Sequence, residues 1–329
     1  MTKFTERNGS PCKSVWLVPL ICLLVGGALL GISTNVAKYT GEIGLSPLAF
    51  LFWSIAGAAT ILLVIALLRH ELPPLNKRSF EYYFISALVS VAGSNLLFFS
   101  AIPHVGAGFV ALIISLPPLL TYLGALALGM ERFQTVRALG VAAALAGAGV
   151  LAARKFSAPD ASVFWILIAL CGPVLLAIGN LYRTLRWPEG ASPNALAPGM
   201  LIAAVVLLGA TSLLPDFSLT VPLGGFLPLG LITLQAFIFA GQFQLLFLLQ
   251  KTGGPVLLSL LGSVGAIVGV PVAVFLQGES PPDGLILGAS LIALGVALVT
   301  WGGMKMMTLS KQKLEVSYAE ETVQINLVN

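Results

Sequence analysis

Residues 106–132, GAGFVALIISLPPLLTYLGALALGMER, and residues 254–280, GPVLLSLLGSVGAIVGVPVAVFLQGES, carry one pattern twice. Laid over each other without a gap, at the offset of 148 that takes 106 to 254, they superpose Gly106 on Gly254, Leu112 on Leu260 and Ser115 on Ser263. Leu128 then falls on Leu276, Glu131 on Glu279, Gly140 on Gly288 and Gly147 on Gly295. Each copy is a long apolar run closed by one Glu, followed by a second apolar run with its glycines seven apart. A bilayer-crossing helix needs about 20 mostly apolar residues. Each copy therefore reads as a hairpin of two membrane helices, present in duplicate.

Composition excludes most other classes. Hydrophobic residues make up 57% and charged residues 9% of the chain, against roughly 25% charged in a soluble domain. The three cysteines, Cys12, Cys22 and Cys171, form no CxxC, and there are only two histidines. No metal site, cofactor site or disulfide framework is expected from them. The apolar run from Val15 to Val36 follows Lys3, Arg7 and Lys13. It exceeds the length of a signal-peptide core and no small-x-small cleavage site follows, so it reads as a retained first helix.

Breaks then recur at regular intervals. The expected helices are 15–37, 47–68, 81–101, 105–128, 134–152, 162–182, 195–214, 226–250, 254–276 and 284–303, with turn formers such as Pro73-Pro74, Pro188, Pro215 and Pro281-Pro282 between them. The expected fold is all-α, a polytopic membrane protein of ten helices in two inverted five-helix repeats. A cytoplasmic segment 1–14 precedes repeats 15–152 and 153–303, and a cytoplasmic tail 304–329 follows. With the N-terminus inside, 14 of the 17 Lys and Arg residues fall on the cytoplasmic side and only Lys38, Arg154 and Lys155 outside, as the positive-inside rule requires. The net charge of +4 is thus explained by topology, and no nucleic-acid partner is expected. Five helices per repeat is an odd number, so the second repeat enters from the opposite side. Glu131 then lies inside and Glu279 outside, both termini in the cytoplasm and the chain in the cell (inner) membrane. Halves related in this way can open a midplane site to either face.

The first helices of the two halves share a further spacing. Gly27, Asn35 and Lys38 correspond to Gly172, Asn180 and Arg183, with eight residues from Gly to Asn and three from Asn to the base. Gly27, Gly31, Asn35 and Lys38 lie on one helical stripe, which would admit a neighbouring backbone and aim an amide and a cation into one groove. Snorkelling of Lys38 and Arg183 to the interface is the alternative.

These residues resemble the EamA repeat of the drug/metabolite transporter superfamily. The resemblance rests on Asn35-x-x-Lys38 with Pro47, Ala111-Leu112-Ile113 with Pro118, Gly129-x-Glu131, and Gly140 to Gly147. It recurs in Asn180, Arg183, Pro193, Gly278-Glu279, and Gly288 to Gly295. Ala266 stands where the first copy has Pro118, and Trp53-Ser54 where the family commonly has Arg-Phe. The resemblance implies a secondary transporter, usually an exporter or exchanger of amino acids, other metabolites or drugs.

Candidate substrate contacts must be polar and deep. Besides Asn35 and Asn180, helix 3 offers Ser94 and Asn95, and helix 8 offers Gln235, Gln242 and Gln244. Asn95 falls between Gln242 and Gln244 at the offset of 148, and Phe99 on Phe247. An unpaired amide in hydrocarbon is costly, so these groups bond to neighbouring helices or line a wet cavity. Lys38, Arg183, Glu131 and Glu279 are candidate gate charges at the pathway ends. No acidic residue falls at mid-membrane, so either the protein is a facilitator or exchanger driven by the substrate gradient or a proton is carried elsewhere; His104 reads as interfacial. An enzyme would need a nucleophile or metal constellation that the chain lacks. A non-transporting receptor or scaffold, or a drug efflux pump, are the rival readings. The expected partners are a small-molecule substrate and the lipid bilayer, with homodimerisation left open.

Overall fold

The structure, a computed structural model, describes residues 14–130, 132–156, 163–214, 218–221, 226–252, 258, 260–279, 284–299 and 301–302. Among these residues regular structure is entirely helical. Seven helices are long and apolar enough to cross a membrane: α1 (Ser14–Glu42), α2 (Pro47–Leu68), α3 (Lys77–Val105), α4 (Ala107–Ala127), α6 (Val163–Leu185), α7 (Pro193–Thr211) and α8 (Phe226–Thr252). Three shorter apolar helices are also found among the described residues, α5 (Thr135–Val150, continuing to Phe156), α9 (Leu261–Leu276) and α10 (Leu285–Val299).

Local chemistry explains the ends and the interruptions. Ser46 caps α2 by accepting from the Ala49 N–H, with Pro47 at the first helical position, and Ser192 and Pro193 open α7 in the same way. α1 and α3 outrun the expected 15–37 and 81–101 because their terminal turns are polar yet helical. Thr40 Oγ1 bonds back to the Ala37 carbonyl, and Asn76 caps α3 at Ser79. α4 breaks at mid-span. Pro117 and Pro118 supply no N–H, and the chain tightens through Ser115 N–H to Leu112 O and Leu116 N–H to Ile113 O before resuming. π-helical turns interrupt α3 at Leu88–Gly93 and α9 at Val272–Leu276, the latter directly after Pro271. The expected residues 254–257 of helix 9, Glu131, residues 1–13 and the tail from 303 lie outside the described residues.

Packing follows the small residues. α1 lies between α9 and α8, and α6 between α4 and α3; α2 packs on α7 and α8, and α3 on α7. The stripe Gly27, Gly31 and Asn35 faces α9 as its spacing required. A Cβ on Gly31 would strike the Gly265 carbonyl and lie 2.8 Å from the Gly269 nitrogen. α5 and α10 cross through the glycines seven apart. Gly140 meets the Gly295 carbonyl and Gly147 the Gly288 carbonyl, where a Cβ would come within 2.7 and 2.6 Å. At the α4 break the Ile114 carbonyl sits against Gly262 of α9, so that no side chain fits there.

Candidate functional site

A cavity opens between the two halves of the chain, beside the irregular turn of α3. Ser33 and Thr34 of α1, Ser90, Asn95, Phe98 and Phe99 of α3, Asn180 and Arg183 of α6, and Gln242 and Phe243 of α8 line it. Both halves thus contribute amides and apolar wall. Asn95 Nδ2 bonds back to the Val91 carbonyl at 2.9 Å, in the turn after the π segment. Gln242 is 7% exposed and its Oε1 has no partner among the described residues. Ser90 Oγ is likewise unpaired, and α6 can seat against it only because residue 179 is glycine. Phe99 stacks between Phe50 and Phe239, with ring centroids 5.8 and 6.2 Å away, which fixes the aromatic wall.

The other predicted residues lie elsewhere. Gln235 is fully buried and donates to Ser33 Oγ, tying α8 to α1. Gln244 donates to Asn194 Oδ1 of α7, and Ser94 bonds back to the Ser90 carbonyl at 2.8 Å. Asn35 is in the α1–α9 seam, where its Nδ2 reaches the Gly31 and Gly269 carbonyls at 2.9 and 3.0 Å. His104 stacks on Trp165 at 4.2 Å between centroids. Cys22 and Cys171 are free thiols. Cavity residues that the sequence reading missed are Ser33, Thr34, Ser90, Phe98 and Phe243. Phe243, not an amide, is the residue at the offset of 148 from Asn95.

Toward one end of the helices lies an ionic cluster. Glu279, after α9, accepts from the backbone N–H groups of Ala107 at 2.7 Å and Gly108 at 2.9 Å, and from Lys38 Nζ at 3.1 Å. A carboxylate on the first N–H groups of a helix, joined by an ammonium, combines charge-assisted bonds with the helix dipole. Gly106 turns the chain at φ 90°, and a Cβ there would sit 3.2 Å from both carboxylate oxygens. Gln277 Nε2 adds a bond to the Asn35 carbonyl at 2.8 Å. Lys38 and Glu279 side chains are each 16% exposed. Arg183, 1% exposed, meets neutral groups instead. Its Nη2 donates to Asn180 Oδ1 at 2.7 Å and its Nε to Gln250 Oε1 at 3.3 Å.

An apolar helical array with a small polar cavity between its halves defines a multi-pass membrane protein. Residues 17–153 match the model of the EamA-like transporter family, which belongs to the drug/metabolite transporter superfamily. Proteins of this family are membrane transporters rather than enzymes. Among the solved structures that the chain resembles is a crystal structure with a TM-score of 0.60 at 17% identity over 88% of this chain and 98% of that one; at that identity the likeness concerns the fold. No curated protein matches the chain by sequence.

Proposed function

We propose that the protein is a secondary transporter of a small metabolite, an amino acid or related solute, working by alternating access between inverted repeats 15–152 and 153–303. The observation that carries this is the central cavity, because polar groups from both halves converge on it. The packing supports the repeat. Exchanging each helix for its counterpart turns α1–α9 into α6–α4, α1–α8 into α6–α3 and α2–α8 into α7–α3, and all six pairs occur. Gly140–Gly295 likewise becomes Gly288–Gly147, and Ile114–Gly262 becomes itself. Reciprocal contacts of this kind are what a two-fold axis produces, here a pseudo-two-fold in the membrane plane.

In this reading Lys38 and Glu279 close the extracellular end, and Arg183 and Glu131 are the corresponding charges at the cytoplasmic end. Asn95, Asn180 and Gln242 contact the solute, while Asn35, Ser94, Gln235 and Gln244 hold the helices that frame it. The termini are cytoplasmic, the membrane is the cell membrane and the flux is export or exchange. The test is counterflow into liposomes preloaded in turn with members of a metabolite panel. Accumulation of at least one labelled solute above protein-free vesicles is expected, and it should persist without a proton gradient. Absence of accumulation for every solute would overturn the reading. Single cysteines near Glu131 and Glu279, in a Cys-free background, should react with impermeant reagents from opposite faces. Labelling from the same face would exclude inversion.

A further inference from the structure

Arg183 is among the largest fully buried side chains of the protein, and its charge has no carboxylate against it among the described residues. The ion pairs found there both involve Lys38. Asn180 and Gln250 occupy Nη2 and Nε with neutral oxygens, and Nη1 has no partner. A guanidinium does not deprotonate in a protein, and a buried charge without a counter-charge is strongly unfavourable. Arg183 lines the cavity. The missing counter-charge is therefore assigned to what the cavity binds.

Two further cavity atoms are unpaired, Gln242 Oε1, which can only accept, and Ser90 Oγ. A complementary molecule brings an anionic oxygen pair for the guanidinium and a hydrogen-bond donor for Gln242. Charge balance narrows this. Arg183 is the cation that lines the cavity, so a net monoanion leaves the site neutral. A phosphate monoester carries about 1.5 to 2 negative charges and leaves an excess, whereas a zwitterion leaves the guanidinium uncompensated. Size narrows it again, since a cavity of about 70 Å³ has room for on the order of five waters at 10–15 Å³ each. Phe98, Phe99 and Phe243 take the apolar remainder. We propose that this cavity is a site for a short monocarboxylate with a neutral donor, a small hydroxy acid, held by Arg183 and Gln242. This replaces the amino acid of the transporter reading by a related, singly anionic solute, and rests on that reading only for the statement that the bound molecule is carried.

The test uses the full chain, purified in detergent, and four probes: lactate, its neutral amide lactamide, the zwitterion alanine and glycerol phosphate. Lactate should raise the unfolding temperature with half-saturation at least tenfold lower than any of the others. In Arg183→Gln, which keeps side-chain donors but loses the charge, lactate and lactamide should come within twofold of each other. Equal or better binding of lactamide, alanine or glycerol phosphate to the unaltered protein overturns the proposal, and so does a lactate preference that survives in Arg183→Gln. The unaltered protein decides alone if that variant does not fold. Counterflow with labelled lactate and alanine separates the two readings. Alanine carried without lactate overturns the anion site and leaves the transporter. Arg183-dependent lactate binding with no solute carried preserves the site and removes the transporter. No response to any probe, with no solute carried, overturns both.

Discussion

Lys38 and Arg183 stand three residues after an Asn in the first helix of their respective halves, yet they end in opposite surroundings. Lys38 meets a carboxylate that two backbone N–H groups already hold. Arg183 meets two amides and keeps one nitrogen unpaired. The sequence already makes the two ends unlike. Ala107, whose N–H serves Glu279, corresponds to Pro255, which has no N–H to offer, and Gln277, which bonds to the Asn35 carbonyl, corresponds to Gly129. In the proposed inverted-repeat transporter, unequal latches would favour one closed end over the other. The residues that create the inequality are few enough to change one at a time.

The largest effect is expected at the latched end. Glu279→Gln removes the charge facing Lys38 and turns one acceptor oxygen into an amide nitrogen beside N–H donors. The pair is partly exposed, so its loss should fall between that of a surface pair and a buried one, about 2 kcal/mol in detergent unfolding. Arg183→Met should cost less than about 1 kcal/mol. The lost bonds to Asn180 and Gln250 are offset by removal of an uncompensated buried charge. Equal losses in the two variants would erase the contrast between the ends.

Between the ends, two amides on α8 sharpen the same contrast. Gln242→Leu is expected to leave thermal stability near normal and to reduce transport at least about tenfold, equivalent to about 1.4 kcal/mol. Gln235→Leu breaks a tether to Ser33 and should cost on the order of 0.6 kcal/mol of stability, typical of interhelical bonds, with transport little changed. Near-normal transport by the Gln242 variant would move the site away from α8.

These two glutamines also mark how far the sequence could be read. Hydropathy placed an expected helix on each of the seven spans found among the described residues, because a bilayer leaves an apolar segment little choice but to be helical. The Gly27–Gly31–Asn35 stripe foretold a close crossing, because a missing Cβ allows a neighbouring backbone to approach, whereas the crossing through the glycines seven apart emerged only from the structure. Gln235 and Gln242 are seven residues apart and so share a helix face. What separates them is about 10 Å of depth and a serine 202 residues away in the chain for Gln235. No local period encodes such a partner. The π turn at Leu88–Gly93 was equally illegible. It depends on how α3 seats against α6 and α7, yet it sets the position of Ser90.

The smallest effect is expected in the loop between α2 and α3, where the halves meet at a surface. Glu71 Oε2 accepts from Ser192 Oγ at 2.6 Å and Asn194 Nδ2 at 2.8 Å, joining that loop to the start of α7. The Ser192 bond, then the Asn194 bond, hold its carboxyl below the usual carboxylate value. A carboxyl whose folded pKa lies below its unfolded one contributes stability above the unfolded value, about 4.3 for Glu. That contribution is lost as pH falls through the folded value. The group is only partly buried, so solvent weakens the effect. Glu71→Gln should therefore lower the unfolding temperature slightly at pH 7, and the gap between variant and parent should close on acidification through that range. Asn194 also accepts from Gln244 of α8, so the loop reaches the helix that carries Gln242. If the gap stays constant with pH, the Glu71 bonds contribute through shape rather than charge, and this end of the molecule has no acid-sensitive fastening to set beside the Lys38–Glu279 latch.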